Sequence, residues 1–187
     1  MRVGLFGGSF NPIHNEHLRM LRYILDRNIA DEVWVMPCKM HAFNKDLIPP
    51  NDRVKMIKLA IKDIPNTRVC MAEINSEGKN YTADTIKRLK AKYKHDFRFI
   101  IGFDILTQIE KWYKHTQLFK ETEFIVFRRK GYHFKKIKGM KIASVIEWKE
   151  KKISSTMIRE RIKNKKSITR MVPSIIADYI GKNKLYR

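Results

Sequence analysis

Short apolar runs alternate with amphipathic stretches along the whole chain, and this rhythm limits the fold more than any other feature of the sequence. Arg2–Phe6 reads as a short strand, and Glu16–Asn28 carries Leu18, Leu21, Ile24 and Leu25 at helical spacing. Val33–Met36 reads as a second strand, stopped by Pro37, and Asn51 is a candidate cap for a helix bearing Val54, Ile57, Leu59, Ala60 and Ile61. Thr67–Met71 is a third predicted strand, followed by a basic amphipathic helix over Thr82–Tyr93. Phe97–Ile101 is almost wholly apolar, as suits a strand buried on both faces. A helix over Ile105–Trp112, a strand at Phe124–Phe127, a further strand at Ile142–Ile146, and two closing helices near Ser155 and Pro173 complete the pattern. Strands separated by helices pair in parallel through right-handed crossovers. The expected architecture is therefore α/β, a doubly wound parallel sheet in the order 3-2-1-4-5 with C-terminal helices. Such sheets bind ligands beyond the C-terminal ends of strands 1 and 4, where the order reverses.

Composition removes several other classes. The chain has 187 residues, 43% hydrophobic and 32% charged, which is single-domain size with apolar residues enough for a core. With no internal repeat, low-complexity tract or Gly/Ser linker, one domain over 1–187 is expected, its C-terminal helical part at 154–187. Cys38 and Cys70 are too few for a disulfide framework and read as reduced thiols. No run approaches the roughly 18 apolar residues of a membrane span. Met1–Phe6 leads straight into a glycine turn rather than a secretory leader, so the expected location is the cytoplasm. Lys+Arg number 40 against 19 Asp+Glu, a net charge of +21. That excess attracts nucleic acid, or equally a small polyanion such as a nucleotide. The lysines are scattered from Lys39 to Lys184 in short clusters, which fits solvated faces and phosphate attraction better than a dedicated nucleic-acid face.

Directly after the first strand comes Gly7-Gly8-Ser9-Phe10-Asn11-Pro12-Ile13-His14-Asn15-Glu16-His17. Gly7 and Gly8 let backbone approach a ligand and turn N–H groups toward phosphate oxygens. His14 and His17 point the same way if a helix begins there. A glycine turn with two solvent-facing imidazoles fits the same residues. So does half of a zinc site, although no Cys or third His is placed to complete it. The run is neither the Walker pattern nor the three-glycine dinucleotide fingerprint. Near the other end stands Ile153-Ser154-Ser155-Thr156-Met157-Ile158-Arg159. Ser155 or its neighbour caps a helix, so that free N–H groups and the positive end of the dipole face an anion. Arg159, one turn on, adds a guanidinium fork. Read alone, Ser-Ser-Thr before a helix is ordinary capping.

These two segments carry a resemblance. Gly7–His17 resembles the GxFxPxHxxH signature of the nucleotidyltransferase superfamily, whose members transfer a nucleoside monophosphate, and Ile153–Arg159 resembles its ISSTxIR motif. Tyr81-Thr82-Ala83-Asp84-Thr85, Gly102-Phe103-Asp104, Trp112-Tyr113, the run Phe127–Tyr132 and the ending Val172-Pro173 to Leu185-Tyr186 narrow it. In that order, over essentially the whole chain, they resemble the bacterial nicotinate mononucleotide adenylyltransferases, which have a Rossmann-like fold.

The resemblance implies a step of NAD biosynthesis, ATP and nicotinate mononucleotide giving nicotinate adenine dinucleotide and pyrophosphate. It implies that His14, His17 and Arg159 act on phosphate charge. ATP would meet Gly7, Gly8, Ser9, Phe10, Gly102, Asp104, Ile153, Ser154 and Ser155. Trp112 would stack on the pyridine ring, with Ser9, Tyr81, Thr82, Ala83, Thr85, Tyr113 and Arg129 around the acceptor. Backbone N–H groups near Thr82 and Tyr113 would receive its carboxylate. Mg²⁺ would be held by phosphate oxygens, with no metal ligand from the protein, and Lys39, His41 and Lys45 are candidates for a phosphate loop. The chain departs from the pattern at three places: Asn11 stands for the usual Asp, Glu16 for the Gly of HxGH, and Cys38–Lys45 for a Pro-Pro-His-Lys loop. The same reaction on nicotinamide mononucleotide, another adenylyl- or cytidylyltransferase of the superfamily, and a basic nucleic-acid-binding protein are the alternatives, and a homo-oligomer is compatible with all of them.

Overall fold

The computed structural model describes residues 1–39, 47–129 and 137–187. Its strands are β1 (Arg2–Gly8), β2 (Glu32–Pro37), β3 (Thr67–Val69), β4 (Asp96–Gly102), β5 (Glu123–Arg129) and β6 (Ile142–Trp148). They form one sheet in the order β3-β2-β1-β4-β5-β6, every neighbouring pair parallel. The expected 3-2-1-4-5 order is present, and the strand at Ile142–Trp148 extends it beyond β5. β1 pairs with both β2 and β4, Phe6 lying opposite Val35 and Ile100, so the order reverses at β1 and β4.

The helices divide between the two faces. α1 (Asn15–Asp26), α2 (Pro50–Ile61), α6 (Ser155–Lys163) and α7 (Ser174–Lys182) bury Leu18, Leu21, Ile57, Ile158 and Ile176 with Phe6, Val35 and Ile100 of the sheet. α3 (Thr82–Lys92), α4 (Phe103–Leu106), a 3₁₀ turn (Ile109–Lys111) and α5 (His115–Glu121) bury Ile86, Leu106, Ile109 and Phe119 with Leu5, Phe99 and Val126. Alternate strand residues thus feed two separate cores, which is why the central strands carry apolar side chains in both phases.

Three local expectations need correction. Pro49, not Asn51, is the cap residue of α2, and Pro50 opens it; proline has no N–H to leave orphaned at a first helical position. The helix expected over Ile105–Trp112 is broken into α4 and the 3₁₀ turn, and Trp112 is already extended (φ −74°, ψ 144°). The pattern did not announce α5: it starts from Lys114 in a left-handed conformation (φ 52°) and buries only Leu118 and Phe119. Among the described residues no helix is long and apolar enough to cross a membrane, and both cysteines are free thiols.

Candidate active site

β1 delivers the signature segment to the C-terminal edge of the sheet. His14 is the residue before α1, extended (φ −146°, ψ 171°), and His17 lies in its first turn. Their rings stack at 3.6 Å, 17° from parallel, and the His14 backbone N–H donates to His17 Nδ1 at 3.2 Å. An accepting Nδ1 carries no proton, so the neutral His17 ring has its N–H at Nε2. Phe6 and Phe10 meet His17 edge-on at 5.8 and 5.1 Å and fix its plane. Burial lowers the pKa of His14 to about 4, and burial followed by the neighbouring His14 lowers that of His17 well below its ordinary value. Both imidazoles are neutral at pH 7: they can donate hydrogen bonds but add no formal charge.

The second signature sits against the first. Ser154 caps α6, its Oγ accepting from the Met157 N–H at 3.2 Å. The next two amides, of Ser155 and Thr156, have no partner within the helix, as the first turn requires. Ser155 Oγ donates to the Pro12 carbonyl at 2.9 Å, and Arg159 Nη1 donates to the Asn11 carbonyl at 2.9 Å. Arg159 Nη2 reaches Thr156 Oγ1 at 3.3 Å. Two side chains that the sequence assigns to phosphate therefore also splice the ends of the chain together. A guanidinium has five donors, so Arg159 keeps several for an anion.

Sequence reasoning missed the residues that brace this junction. Arg53 of α2 has no exposed surface; it donates to the carbonyls of Ser9 (2.8 Å), Ile48 (3.2 Å) and Lys39 (3.3 Å). A signal was present: Arg53 shares the i, i+4 stripe with buried Ile57 and Ile61, where a charge is out of place unless it is used. Tyr186 OH donates to Asn11 Oδ1 at 2.9 Å, which brings the last residues to the signature loop; burial raises the phenol's pKa. Tyr179 OH donates to Asp52 Oδ1 at 2.8 Å, tying α7 to α2.

Other expected site residues sort by placement. A side chain at Gly102 would meet open space at the end of β4, whereas one at Gly7 would strike the Phe99 ring at 2.9 Å and one at Gly8 the Phe10 ring at 3.1 Å. Gly7 and Gly8 are thus closely packed against these rings, a use that stands beside the phosphate contact expected of them. Phe10 is buried, and Ile153 packs partly into the first core. Asp104 is exposed in the first turn of α4. Lys39 Nζ donates to the Ser76 carbonyl at 2.7 Å, so one of its hydrogen bonds bridges to the segment before α3.

At the far side of the switch point, the Tyr81 and Tyr113 rings lie 4.1 Å apart, both exposed. Lys114 Nζ stands over Tyr113 at 4.9 Å and 3.5 Å from Asp84 Oδ1. Trp112 is half-buried, edge-on to Phe99 at 6.1 Å. Ala83 and Thr85 are buried, and Thr85 Oγ1 already accepts from Arg88 at 3.1 Å. The Thr85 hydroxyl keeps its own O–H to donate, and Ala83 can act only through its backbone. His41, Lys45 and the side chain of Arg129 lie outside the described residues. Among the described residues no cluster of three or more His, Cys, Asp or Glu is formed that could hold a metal ion.

Comparison with known proteins gives the family of the chain. The cytidylyltransferase-like family model matches residues 5–161. Nicotinate-nucleotide adenylyltransferase of Bacillus subtilis (strain 168) is 39% identical over 188 residues, covering 99% of this chain and 98% of its own. A probable nicotinate-nucleotide adenylyltransferase of Lactococcus lactis is 38% identical, covering 100% and 95%. Among solved structures, Plasmodium falciparum nicotinic acid mononucleotide adenylyltransferase complexed with NaAD superposes with a TM-score of 0.83 at 24% identity, covering 99% and 97%. That last likeness speaks to the fold.

Proposed function

The chain belongs to the cytidylyltransferase-like family and is a nucleotidyltransferase, and on that premise we propose that it transfers the adenylyl group of ATP to nicotinate mononucleotide, giving nicotinate adenine dinucleotide and pyrophosphate. The acceptor phosphate, with a second pKa of about 6, is ionised at neutral pH, so the reaction needs no general base. It needs two polyanions held in line and the charge on the α-phosphate and the leaving pyrophosphate stabilised. His17 offers Nε2–H as the one donor of a ring whose other nitrogen is occupied. Its low pKa suits this role, because a donor that stays neutral neither releases nor takes a proton as charge builds. Positive charge is the task of Arg159, with the first-turn amides of α6 beside it. His14, stacked on His17, keeps that ring in place and is a second candidate donor.

Donors of this kind suit phosphate oxygens rather than a divalent cation. Mg²⁺ would accordingly arrive as part of Mg-ATP, bound to phosphate oxygens and offsetting their charge. Gly102 and Asp104 would flank the adenosine, and the exposed aromatic corner of Tyr81, Trp112 and Tyr113 the pyridine ring. The net charge of +21 speeds the approach of two anionic substrates, an effect weakened by salt. We read 1–187 as one catalytic domain acting in the cytoplasm.

The contact of the two signatures, Ser155 on the Pro12 carbonyl and Arg159 on the Asn11 carbonyl, is the observation that carries this reading. Its test is pyrophosphate release from Mg-ATP by the purified protein with nicotinate mononucleotide, nicotinamide mononucleotide and phosphopantetheine as acceptors. Release with phosphopantetheine but neither pyridine mononucleotide would refute it.

A further inference from the structure

Glu16 is 4% exposed and stands in the first turn of α1, between the two histidines. Its Oε1 accepts from Trp148 Nε1 at 2.6 Å, Arg19 Nη2 at 2.7 Å and the Lys151 backbone N–H at 3.4 Å. Arg19 Nη2 also donates to the Lys149 carbonyl, and its guanidinium lies 4.2 Å over the Trp148 ring. Trp148 is itself wedged, edge-on to Phe127 at 5.0 Å and Tyr23 at 5.3 Å. Beyond Lys151, the Ile153 N–H donates to the Lys151 carbonyl at 2.7 Å, and Ser154 then caps α6. One carboxylate thus grips, at two points, the segment that leads from β6 into the phosphate motif. A glycine at this position, as in the HxGH pattern, could make none of these contacts. Glu16 Oε2 has no hydrogen-bond partner among the described residues, so the carboxylate is buried at a cost that Arg19 only partly offsets.

We infer that Glu16 is a positioning residue for the triphosphate: it locks the 148–153 segment to the first turn of α1 and so sets the α6 N-terminus against His17. This rests on the proposed adenylyl transfer. Its physical basis is distance. Displacements of about 1 Å in a reacting array cost about 100-fold in rate, and here a single oxygen fixes both elements. The acceptor corner, built on α3 and the Trp112–Tyr113 segment, has no part in this linkage, so an effect on ATP should leave the acceptor nearly untouched.

The test compares the parent with Glu16→Ala and Glu16→Gln by steady-state kinetics in both substrates and by calorimetric binding of pyrophosphate and AMP. Glu16→Ala is expected to raise KM for Mg-ATP about tenfold and weaken pyrophosphate binding similarly, with KM for nicotinate mononucleotide changed less than about twofold. Glu16→Gln, whose amide oxygen can still accept from Trp148 and Lys151, is expected to recover most of the loss. Should Glu16→Ala fail to fold, Trp148→Phe keeps an aromatic ring in place and removes the Nε1–H with the rest of the indole; it is expected to shift Mg-ATP in the same direction by about threefold. Parent-like ATP kinetics in both Glu16→Ala and Trp148→Phe, or equal losses for both substrates without rescue by Gln, would overturn the inference. A parent protein that neither binds pyrophosphate nor turns over would instead overturn the adenylyl-transfer reading beneath it.

Discussion

Glu73 offers a quantitative check on the segment that leads to the acceptor corner. Its backbone carbonyl accepts from Ser76 Oγ and Asn80 Nδ2, both at 2.9 Å, while its carboxyl is buried beside Cys38, Cys70 and Arg88. Burial raises its pKa from 4.5 to about 7, against a smaller opposing pull from Arg88. The folded state thus holds this proton more tightly than the unfolded chain. Its contribution to stability is fully present below 4.5 and is lost as pH rises through 7. At about 1.4 kcal/mol per pH unit, the whole effect is about 3 kcal/mol, of which about 2 kcal/mol falls between about pH 5.5 and 8. His14 acts with the opposite sign: its pKa is lowered from 6.5 to about 4, so its contribution is present above 6.5 and is lost as pH falls toward 4. That term gains about 1.4 kcal/mol over the same window and so offsets most of the Glu73 loss in the parent, with the buried His17 adding a gain of the same sign. Glu73→Gln should remove only the first. Urea unfolding of parent and variant at several pH values should therefore give a stability difference that shifts by about 2 kcal/mol in favour of the variant from about pH 5.5 to 8. A difference that does not change with pH would show that Glu73 ionises normally, and the burial argument would fail.

Three further outcomes concern the chemistry. His17→Ala should lower kcat by about 10²–10³-fold with little change in ATP binding, since the lost donor meets charge that grows in the transition state; binding by calorimetry beside single-turnover rates decides this. Arg159→Ala should weaken ATP and pyrophosphate binding together and AMP binding little, with Arg159→Lys a partial rescue, because an ammonium cannot serve the Asn11 carbonyl and a phosphate in a fork; equal loss of AMP binding would assign the arginine elsewhere. Nicotinate mononucleotide should be preferred over the nicotinamide form by at least about tenfold in kcat/KM, roughly 1.4 kcal/mol, because backbone N–H donors match a carboxylate and not an amide NH₂. Trp112→Ala should then reduce both values alike, and a ratio near one in the parent would refute the acceptor pocket.

The sheet order and most element positions were legible because burial on both faces of β1, β4 and β5 forces apolar runs, and amphipathic helices must sit between them. His14, His17 and the Ser154–Arg159 segment were legible because each is a local pattern. The bracing was not, because its partners are far apart in sequence: Arg53 and Ser9 by 44 residues, Glu16 and Trp148 by 132, Tyr186 and Asn11 by 175. Gly7 shows a second kind of gap: a local pattern reads it as clearance for a ligand and cannot show that the Phe99 ring, which belongs to the other core, stands 2.9 Å from where its side chain would be.

The split of the helices between the two faces has a consequence for how such a chain can change. α1 and α6, with the signatures at their N-termini, share one core, while α3, the 3₁₀ turn and α5, with Tyr81 and Trp112–Tyr113 at their ends, share the other. The sheet stands between them. Substitutions in different layers that share no partner combine additively. On the proposed reading, the exposed positions of the acceptor corner, Tyr81 and Tyr113, are therefore an exchangeable part: they can be varied, in a laboratory library or over generations, while the two phosphate signatures are inherited unchanged.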